Sequence, residues 1–374
     1  MSDPSRYNVC KFNNIGGVTC YMNSIFHILQ HIPSFVDYII CHRFKDTILQ
    51  KVNDKLKKDE TLSDIEILTS NIIFELYRLF KISHENEDDN LTPSTIKKLI
   101  GKKNDMWDEL NHQDSQEFFT FLISQIQEEV GVKSQFIPGL IDHSINDMNI
   151  NDSFLNIISS HSWSLFQSRE YSPLKNMFDG LIQTNKKCQY CSASSIRFEP
   201  FITLSISIPN KTDSFTINEC FNHFTQEEQL DSDNKFECEI CGLKNQGYTK
   251  TQLWKTPKIL AIHIKRFSTN MYGLPSQKLN NSITYPLYDF DISPYFNNSS
   301  PFINQAKYDL VGVNLHQSFG FGGNTNSGHY TSLVKNMYNN YWYLYNDSHP
   351  VKIATKLEHI QHNNAYLLFY YRQN

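Results

Sequence analysis

Cys20 and His329 are the residues of this chain whose types and surroundings favour nucleophilic chemistry. A turn-prone Asn/Gly segment, residues 13–17, precedes Cys20, and apolar residues follow it at helical spacing, at Ile25, Ile28, Leu29 and Ile32. This pattern places Cys20 at or near a helix N-terminus. Because unpaired amides and the helix dipole stabilise a thiolate there, we expect a Cys20 pKa below the free value of about 8.5. A lone cysteine is more often a small buried thiol, so the prediction depends on residues elsewhere.

Strand-like segments surround His329 near the C-terminus. Residues 308–316 alternate apolar and polar side chains, and residues 328–334 form a second strand-like run that begins Gly-His-Tyr. A third run, residues 341–348, ends in Asn-Asp-Ser. If the second and third runs pair as a hairpin, Asn346 lies beside His329, where it can orient the imidazole ring. A thiol and an imidazole base that are far apart in sequence can meet in this way.

Two Cys-x-x-Cys pairs form a second chemical signal, Cys188 with Cys191 and Cys238 with Cys241. This spacing lets each pair of thiolates bind one face of a tetrahedral zinc ion, and four thiolates complete a structural site. The gap between the pairs is long and contains strand-like runs such as residues 201–208, so a β insertion must bring the pairs together. Two disulfides or a redox Cys-x-x-Cys are the alternatives, and disulfides are disfavoured in a cytosolic protein. A zinc hydrolase is weaker still, because four Cys ligands leave no open position for water.

Composition favours a large catalytic domain. With 374 residues, 40% hydrophobic and 13% aromatic, the chain can bury a substantial core in one multi-lobed unit or two domains, and we favour one unit. A net charge of -5 argues against nucleic acid as the main ligand. The N-terminus has no signal-peptide pattern, and no apolar run reaches the roughly 18 residues of a membrane span. These features predict a protein without membrane contact that resides in the cytoplasm, the nucleus or both.

Four segments, in order along the chain, resemble the ubiquitin-specific proteases, which are papain-like cysteine deubiquitinases (peptidase family C19). They are a cysteine box NIGGVTCYMNS at residues 14–24, a glutamine/aspartate box HQDSQEF at 112–118, a strand LAIHIKRF at 260–267, and a histidine box that includes GHY at 328–330 and YNDS at 345–348. Four matches in the family order are far more specific than any one of them.

The resemblance implies an α+β, papain-like cysteine protease fold with a helical thumb, a β-sheet palm and zinc-bearing β fingers. We expect a single catalytic domain over residues 6–374, divided approximately into a thumb (6–135), a linker or insertion (136–170), fingers (171–256) and a palm (257–374). Apolar periodicity predicts helices near residues 24–32, 63–80 and 115–130. The Asn/Ser/Asp-rich stretch 142–162 is interpreted as an insertion or flexible linker.

The implied activity is hydrolysis of the peptide or isopeptide bond after the C-terminal glycine of ubiquitin, through a thioester. The resemblance assigns Cys20 as nucleophile, His329 as base and Asn346 as the residue that orients the ring. A structural zinc ion would occupy the four cysteines. The expected partners are ubiquitin and ubiquitinated proteins, and an activating partner protein is left unspecified.

Three positions depart from the family pattern. The family's oxyanion Asn lies five residues before the cysteine, whereas Asn14 lies six before Cys20. Either the loop carries an extra residue, which Gly17 absorbs through its backbone freedom, or the donor is missing, and we predict Asn14. The neutral Asn346 stabilises an imidazolium less than Asp would, so we expect Asp347 to compensate electrostatically or by polarising a water.

The third departure is His112, which replaces the usual first Gln of its box. The family's ligand has a basic C-terminal tail, so the resemblance implies contacts from Asp114 and Glu117, with Gln113 and His112 beside them. Capping of the following helix is the alternative role for the two acidic residues, because the dipole favours negative charge in a first turn. A Gly/Ser/Asn-rich loop, residues 318–327, is expected to close over the tail.

Two rival functions are also compatible with the sequence. A protease for another ubiquitin-like modifier would require the same catalytic residues as a deubiquitinase. A catalytically weak ubiquitin-binding module would explain the displaced Asn14, although such a module needs none of Cys20, His329 and Asn346.

Overall fold

The structure is a computed structural model, and it describes residues 10–41, 43–56, 70–86, 90–132, 145–147, 151–169, 171–209, 214–230, 235–269, 275–318, 328–337 and 339–373. The helices among these residues are α1 (Cys20–Leu29), α2 (Pro33–Ile40), α3 (Lys45–Leu56), α4 (Ile72–Glu85), α5 (Ser94–Lys103), α6 (Ser115–Val130), α7 (Asp152–Arg169), α8 (Pro173–Phe178), α9 (Ile217–Thr225) and α10 (Leu357–Ile360). None of these helices is both long and apolar enough to cross a membrane.

The strands of the same residues belong to two main sheets and several short ribbons. They are β1 (Lys11–Phe12), β2 (Asn90–Leu91), β3 (Ile145–Asp147), β4 (Gly180–Cys188), β5 (Ser194–Phe201), β6 (Thr203–Ser207), β7 (Ser214–Thr216), β8 (Glu228–Leu230), β9 (Phe236–Glu237), β10 (Lys244–Asn245), β11 (Gly247–Lys255), β12 (Ile259–Lys265), β13 (Phe267–Thr269), β14 (Pro275–Lys278), β15 (Ser282–Thr284), β16 (Phe290–Asp291), β17 (Lys307–Ser318), β18 (Gly328–Lys335), β19 (Trp342–Tyr345), β20 (Lys352–Ala354) and β21 (Ala365–Arg372).

Helix α1 is the centre of the helical region, and each of its ten residues is buried. It packs against α6 and against strands β17 and β18. A helix enclosed on all sides must satisfy its polar side chains internally, and Asn23 and Ser24 both have partners within the protein. The N-terminus of α1 is therefore held firmly between a helix and a sheet.

The predicted helices are confirmed with shifted ends. Residues 115–130 form α6 as predicted, whereas α1 begins at Cys20, ahead of the predicted start at residue 24. The Thr19 carbonyl accepts the amides of Met22 and Asn23 at 3.0 Å, so the helical bonds begin before the apolar periodicity does. Of the prediction for 63–80, residues 72–80 are helical in α4, and residues 63–69 lie outside the described residues.

The palm sheet has the order β20-β19-β18-β17-β21-β12-β6. Neighbours pair antiparallel except β12 and β6, which are parallel. The three strands predicted around the histidine box are confirmed as β17, β18 and β19. Strands β18 and β19 form the predicted hairpin, in which Ser332 pairs with Tyr345. This register places the start of β18 beside the residues that follow β19.

The fingers sheet has the order β3-β5-β4-β11-β8, and the ribbon of β9 and β10 lies at its tip. Strands β4 and β11 pair antiparallel over most of their length, with Cys188 opposite Gly247. A β insertion therefore connects the two Cys-x-x-Cys pairs, as the long gap between them predicted.

The flexible-linker interpretation of residues 136–170 is wrong for residues 152–169, which form helix α7, while an insertion at these residues stays a prediction. Leu155 and Ile158 of α7 are buried against the fingers sheet, and Lys255 lies over the Trp163 ring, 3.7 Å from its centroid. Serine, asparagine and histidine occupy most other positions of this helix, so its apolar contacts are too sparse to give a periodic signal. Residues 136–144, 148–150 and 170 lie outside the described residues.

Candidate active site

Cys20 begins α1, as the sequence predicted, and the loop before it is closed by side-chain hydrogen bonds. The Thr19 amide donates to Asn14 Oδ1 at 2.7 Å, and the Ile15 amide donates to Thr19 Oγ1 at 2.8 Å. Gly16 (φ 62°) lies in a 3₁₀ turn between these bonds.

Two glycines shape this turn. Gly17, like Gly16, has a left-handed backbone, with φ of 75°. Two consecutive left-handed residues are costly for any residue other than glycine. The turn brings the Asn14 side chain to the Thr19 amide at the start of α1, and absorption of an extra loop residue by Gly17 stays a prediction.

The Cys20 thiol is buried and uncharged in this setting. Burial raises the pKa of Cys20 to about 11, the Tyr330 amide that donates to the sulfur opposes this shift, and the negative charge of Asp347 adds to it. The prediction of a Cys20 pKa below 8.5 is therefore wrong for a thiol that has not transferred its proton to a base. Removal of the sulfur from water raises the pKa by more than the helix N-terminus lowers it. A base must remove the proton.

His329 is the second residue of β18, and its neighbour Tyr330 contacts the Cys20 sulfur. The His329 Nε2 lies 2.6 Å from Asn346 Oδ1, so the predicted approach of these two side chains is confirmed. Because the amide oxygen accepts, Nε2 carries the proton, and Nδ1 is the basic nitrogen of the neutral ring. This is the tautomer that a base for the thiol requires.

Asp347 lies beneath this pair with its carboxylate held by two amides. It is 6% exposed, and its Oδ2 is 3.7 Å from His329 Nε2. Asn14 Nδ2 donates to Oδ2 at 2.9 Å, and Asn23 Nδ2 donates to Oδ1 at 2.8 Å. Asn23 belongs to the cysteine box, and the sequence pattern assigns it no role. The feature that could have indicated a role for Asn23 is its polar side chain within a helix whose residues are all buried.

A buried amide on the palm sheet fixes α1 to its neighbours. Asn314 of β17 donates to Ser24 Oγ of α1 at 2.8 Å and accepts from Ser115 Oγ of α6 at 2.8 Å. Asn314 is completely buried, so both bonds are shielded from water. The nucleophile helix and the strand that pairs with β18 are thereby tied together.

Comparison with known proteins decides the family. The sequence model described as "Ubiquitin carboxyl-terminal hydrolase" matches residues 10–370. The chain belongs to this family, within its ubiquitin-specific protease (C19) branch. Chicken Ubiquitin carboxyl-terminal hydrolase 2 is 32% identical over 287 residues, which cover 76% of this chain and 74% of the relative. Usp2 of Drosophila melanogaster is 27% identical over 374 residues, 99% of this chain and 35% of the relative. The chain thus spans about a third of the fly protein.

Solved structures share the fold of this ubiquitin-specific protease. The SAGA Ubp8/Sgf11/Sus1/Sgf73 DUB module bound to ubiquitin aldehyde matches with a TM-score of 0.68 and 21% identity, covering 100% of this chain and 71% of that chain. The module bound to monoubiquitin matches with a TM-score of 0.66 and 23% identity, with coverages of 100% and 71%. The helical thumb, palm and fingers predicted from the resemblance are confirmed.

Asp114 of the glutamine/aspartate box caps α6. Its Oδ1 accepts the Gln116 amide at 2.6 Å and the Glu117 amide at 3.3 Å, and its Oδ2 accepts from the Tyr366 hydroxyl. Burial raises the pKa of Asp114. The capping alternative therefore describes Asp114 in this ubiquitin-specific protease, while its contact with a basic tail stays a prediction.

The other residues of this box lie around the cap. Glu117 is exposed in the first turn of α6, and Gln113 Nε2 donates to the Met106 carbonyl at 3.0 Å. His112 is half-buried. Residues 319–327, most of the loop expected to close over a ligand tail, lie outside the described residues.

The two Cys-x-x-Cys pairs converge at the tip of the fingers. The sulfurs of Cys188, Cys191, Cys238 and Cys241 all lie within 4.8 Å of one another. Two of the separations are 4.0 Å (Cys188 to Cys241) and 3.7 Å (Cys191 to Cys238). A tetrahedron with metal–sulfur bonds of about 2.3 Å has edges of about 3.8 Å, so these four thiols can hold a metal ion.

Each cysteine pair lies in a tight turn of the same design. The residue after the second cysteine is left-handed in both, Ser192 with φ of 60° and Gly242 with φ of 68°. The Ser192 amide donates to the Cys188 carbonyl at 3.0 Å, and the Gly242 amide donates to the Cys238 carbonyl at 2.8 Å. Two matching turns present four thiols to one point, which supports a metal site rather than two disulfides.

We predict that Gly328→Ala damages the site by displacing His329. A Cβ on Gly328 would lie 2.2 Å from His316 Nε2 and 2.9 Å from the Gln317 carbonyl oxygen. The start of β18 must shift to relieve this overlap, and a displacement of about 1 Å at a catalytic group can lower the rate about a hundredfold. Steady-state hydrolysis of a ubiquitin C-terminal fluorogenic amide measures the loss.

The matched variant for this prediction is Gly328→Ala with His316→Ala, which removes the ring that the new methyl group meets. Partial recovery of kcat in the double variant is expected, because only the Gln317 contact remains. Equal losses in the single and double variants would show that the overlap with His316 is not the cause.

Proposed function

We propose that this chain is a deubiquitinating cysteine protease that cleaves the peptide or isopeptide bond after the C-terminal glycine of ubiquitin. The observation that carries the proposal is that Cys20 accepts from the backbone amide of Tyr330, the neighbour of His329, whose Nε2 lies 2.6 Å from the Asn346 amide oxygen. Family membership over residues 10–370 supports ubiquitin as the modifier. The structural relatives bound to ubiquitin aldehyde and monoubiquitin support the same substrate.

In the proposed mechanism His329 acts first as a general base and then as a general acid. Its Nδ1 removes the Cys20 proton, and the thiolate attacks the glycine carbonyl to form a tetrahedral oxyanion and then a thioester. The same imidazole delivers the proton to the departing lysine amine. Water activated by His329 then hydrolyses the thioester and regenerates the thiol.

Asn346 and Asp347 have different roles beside the imidazole in this proposal. Asn346 fixes the tautomer through its amide oxygen, and Asp347 supplies a fixed negative charge 3.7 Å from Nε2. The charge stabilises the imidazolium that forms when the thiol ionises.

The proposed oxyanion donors are the Cys20 backbone amide and the Asn14 side chain. Asn14 Nδ2 carries two hydrogens and donates one of them to Asp347. The second hydrogen can be donated to an oxyanion. Loss of one such donor typically costs about a hundredfold or more in rate.

The acidic residues at the start of α6 are the proposed contact for the basic tail of ubiquitin. Glu117 is exposed there, and Asp114, Gln113 and His112 precede it. We propose Glu117 as the direct partner and Asp114 as both helix cap and contact, since its carboxylate already accepts from Tyr366. Ubiquitinated proteins are the corresponding partners.

The metal proposed for the fingertip is zinc, in a structural role. Four thiolates and no other ligand type suit zinc and complete its coordination. Cys188, Cys191, Cys238 and Cys241 would hold the ion, and the bound ion would join the two turns. It takes no part in the thiol chemistry.

The test is labelling by ubiquitin that bears a C-terminal electrophile, beside equivalent probes of other ubiquitin-like modifiers and a Cys20→Ser control. We expect labelling by ubiquitin in the wild type and none in Cys20→Ser. Labelling by a different modifier would reassign the substrate. A folded, zinc-loaded sample that reacts with no probe would contradict the proposal and favour a binding module.

A further inference from the structure

We infer that Asn23 is a positioning residue, which holds three separate parts of the active site in register. The parts are α1 with the nucleophile, the loop that carries Asn14, and the turn that carries Asn346 and Asp347. The inference rests on the proposed function for its activity readout. Its physical basis is a set of contacts made by one buried amide.

The Asn23 side chain faces acceptors on every neighbouring part. Its Nδ2 lies 2.8 Å from Asp347 Oδ1, 3.3 Å from the Asn13 carbonyl oxygen and 3.4 Å from the Phe12 carbonyl oxygen. Three acceptors around one atom require a donor there, so the orientation of this amide is fixed. Asn23 is 1% exposed, and water cannot take over these bonds without a rearrangement.

The position of Asn23 along α1 lets its hydrogen bonds determine where the nucleophile helix lies relative to its neighbours. Asn23 lies almost one helical turn after Cys20, on a helix that is buried throughout. A bond from this point to Asp347 sets the distance between the nucleophile helix and the turn after β19. The bonds to the Phe12 and Asn13 carbonyls set the approach of the next residue, Asn14, to the same carboxylate.

Asp347 needs such a support. Its backbone is left-handed, with φ of 46°, a conformation that residues with a side chain adopt infrequently and that aspartate tolerates through local hydrogen bonds of its side chain. Its carboxylate is buried and accepts from Asn14 and Asn23 on different oxygens. Charged acceptors form the stronger hydrogen bonds, so the two amides together fix both the backbone turn and the direction of the negative charge.

The charge that Asn23 directs is the one that matters to His329. His316 also faces His329 from β17, but burial lowers the pKa of His316 to about 3, so that ring is neutral. Cys20 on α1 is the proton donor itself. The Asp347 charge also disfavours the Cys20 thiolate, but its carboxylate lies 3.7 Å from His329 Nε2, where it stabilises the imidazolium directly. Loss of Asn23 should therefore weaken the support of the imidazolium and reduce transfer of the thiol proton to His329 at a given pH.

A purely structural role predicts a different result. If Asn23 only fills space in the core, the nearly isosteric Asn23→Leu should be tolerated. Gln30→Leu is the matched control, because Gln30 is another buried amide of the same helix region, and it bonds to His27 and Ser83 away from the site.

The experiment measures alkylation of Cys20 by iodoacetamide from pH 5 to 10, with mass spectrometry of the Cys20 peptide, in the wild type and both variants. This readout does not depend on the modifier. Asn23→Leu should move the midpoint of the rise upward by about one pH unit, which is a tenfold loss of reactivity below the midpoint. Gln30→Leu should lower the melting temperature and leave the midpoint in place.

Hydrolysis of a ubiquitin C-terminal amide gives the second readout. Asn23→Leu should lower kcat about tenfold or more with KM within about twofold, since Asn23 is buried beneath the site. A wild-type midpoint and kcat in Asn23→Leu would overturn the inference. If the wild type alkylates as predicted but cleaves no ubiquitin substrate, the proposed function fails and the alkylation result still decides the role of Asn23.

A charge-introducing variant keeps the test decisive if Asn23→Leu does not fold. Asn23→Asp keeps the size of the side chain but places a second carboxylate against Asp347, and it should lower the alkylation rate at pH 7 more than tenfold. A folded Asn23→Asp protein that alkylates at the wild-type rate would overturn the inference.

Discussion

His329→Ala should lower kcat/KM for ubiquitin substrates about a thousandfold or more at pH 7.5. Burial raises the pKa of Cys20 to about 11, so a thiol without its base would be ionised to only about 1 part in 3,000 at that pH. The same variant also loses the proton donor for the leaving amine. Steady-state kinetics on a ubiquitin C-terminal fluorogenic amide measures the loss.

The pH dependence of this variant follows from the same pKa. Below about pH 11, each unit of pH raises the thiolate fraction of an unassisted Cys20 tenfold, so residual activity in His329→Ala should rise about tenfold per unit from pH 7 to pH 9. The wild type should change much less over this range, because the imidazole takes the proton. Asn346→Ala is the matched variant, with a smaller loss and a profile closer to the wild type. A flat residual profile in His329→Ala would contradict a thiol pKa raised by burial.

The positions of the proposed catalytic residues in the fold could be predicted because their chemistry requires particular residue types in local patterns. The hairpin that joins Asn346 to His329 is visible as two strand-like runs with a short turn, and the register follows from alternation of side chains. The cysteine pairs are equally local, since Cys-x-x-Cys makes a turn with both thiols on one side.

Properties that arise from burial were not predictable in the same way. The Cys20 pKa depends on how completely the palm sheet covers α1, which no local pattern reports. Asn23 and Asp347 meet across most of the chain, and neither residue type alone indicates the pairing. Helix α7 was missed because its packing depends on a few apolar contacts among many polar residues.

Loss of the fingertip metal should have the second large effect. We expect Cys238→Ser to reduce bound zinc from about one equivalent to nearly none and to raise KM for ubiquitin substrates about tenfold or more, while kcat changes little. Cys238 is far along the chain from Cys20 and His329, and no step of the proposed mechanism uses it. Metal analysis and steady-state kinetics measure the two quantities.

The matched control is Cys41→Ser, which replaces an exposed cysteine outside the cluster and should keep both the zinc and KM. Chelation of zinc from the wild type should reproduce the Cys238→Ser result, and added zinc should reverse it in the wild type alone. A Cys238→Ser protein with wild-type metal content would contradict the four-thiol site.

The physical reason for a large effect is that the fingertip has little else to hold it together. Its buried cluster consists of Cys188, Ala193 and Cys238, with Phe236 and the other two cysteines partly buried around them. The ribbon of β9 and β10 has two residues in each strand, and an isolated two-stranded ribbon of that size is marginal in water. Without the ion, amide hydrogens of residues 235–245 should exchange rapidly, while those of β4 and β11 near the palm stay protected. Equal protection of 235–245 with and without zinc would show that the metal is not what orders the fingertip.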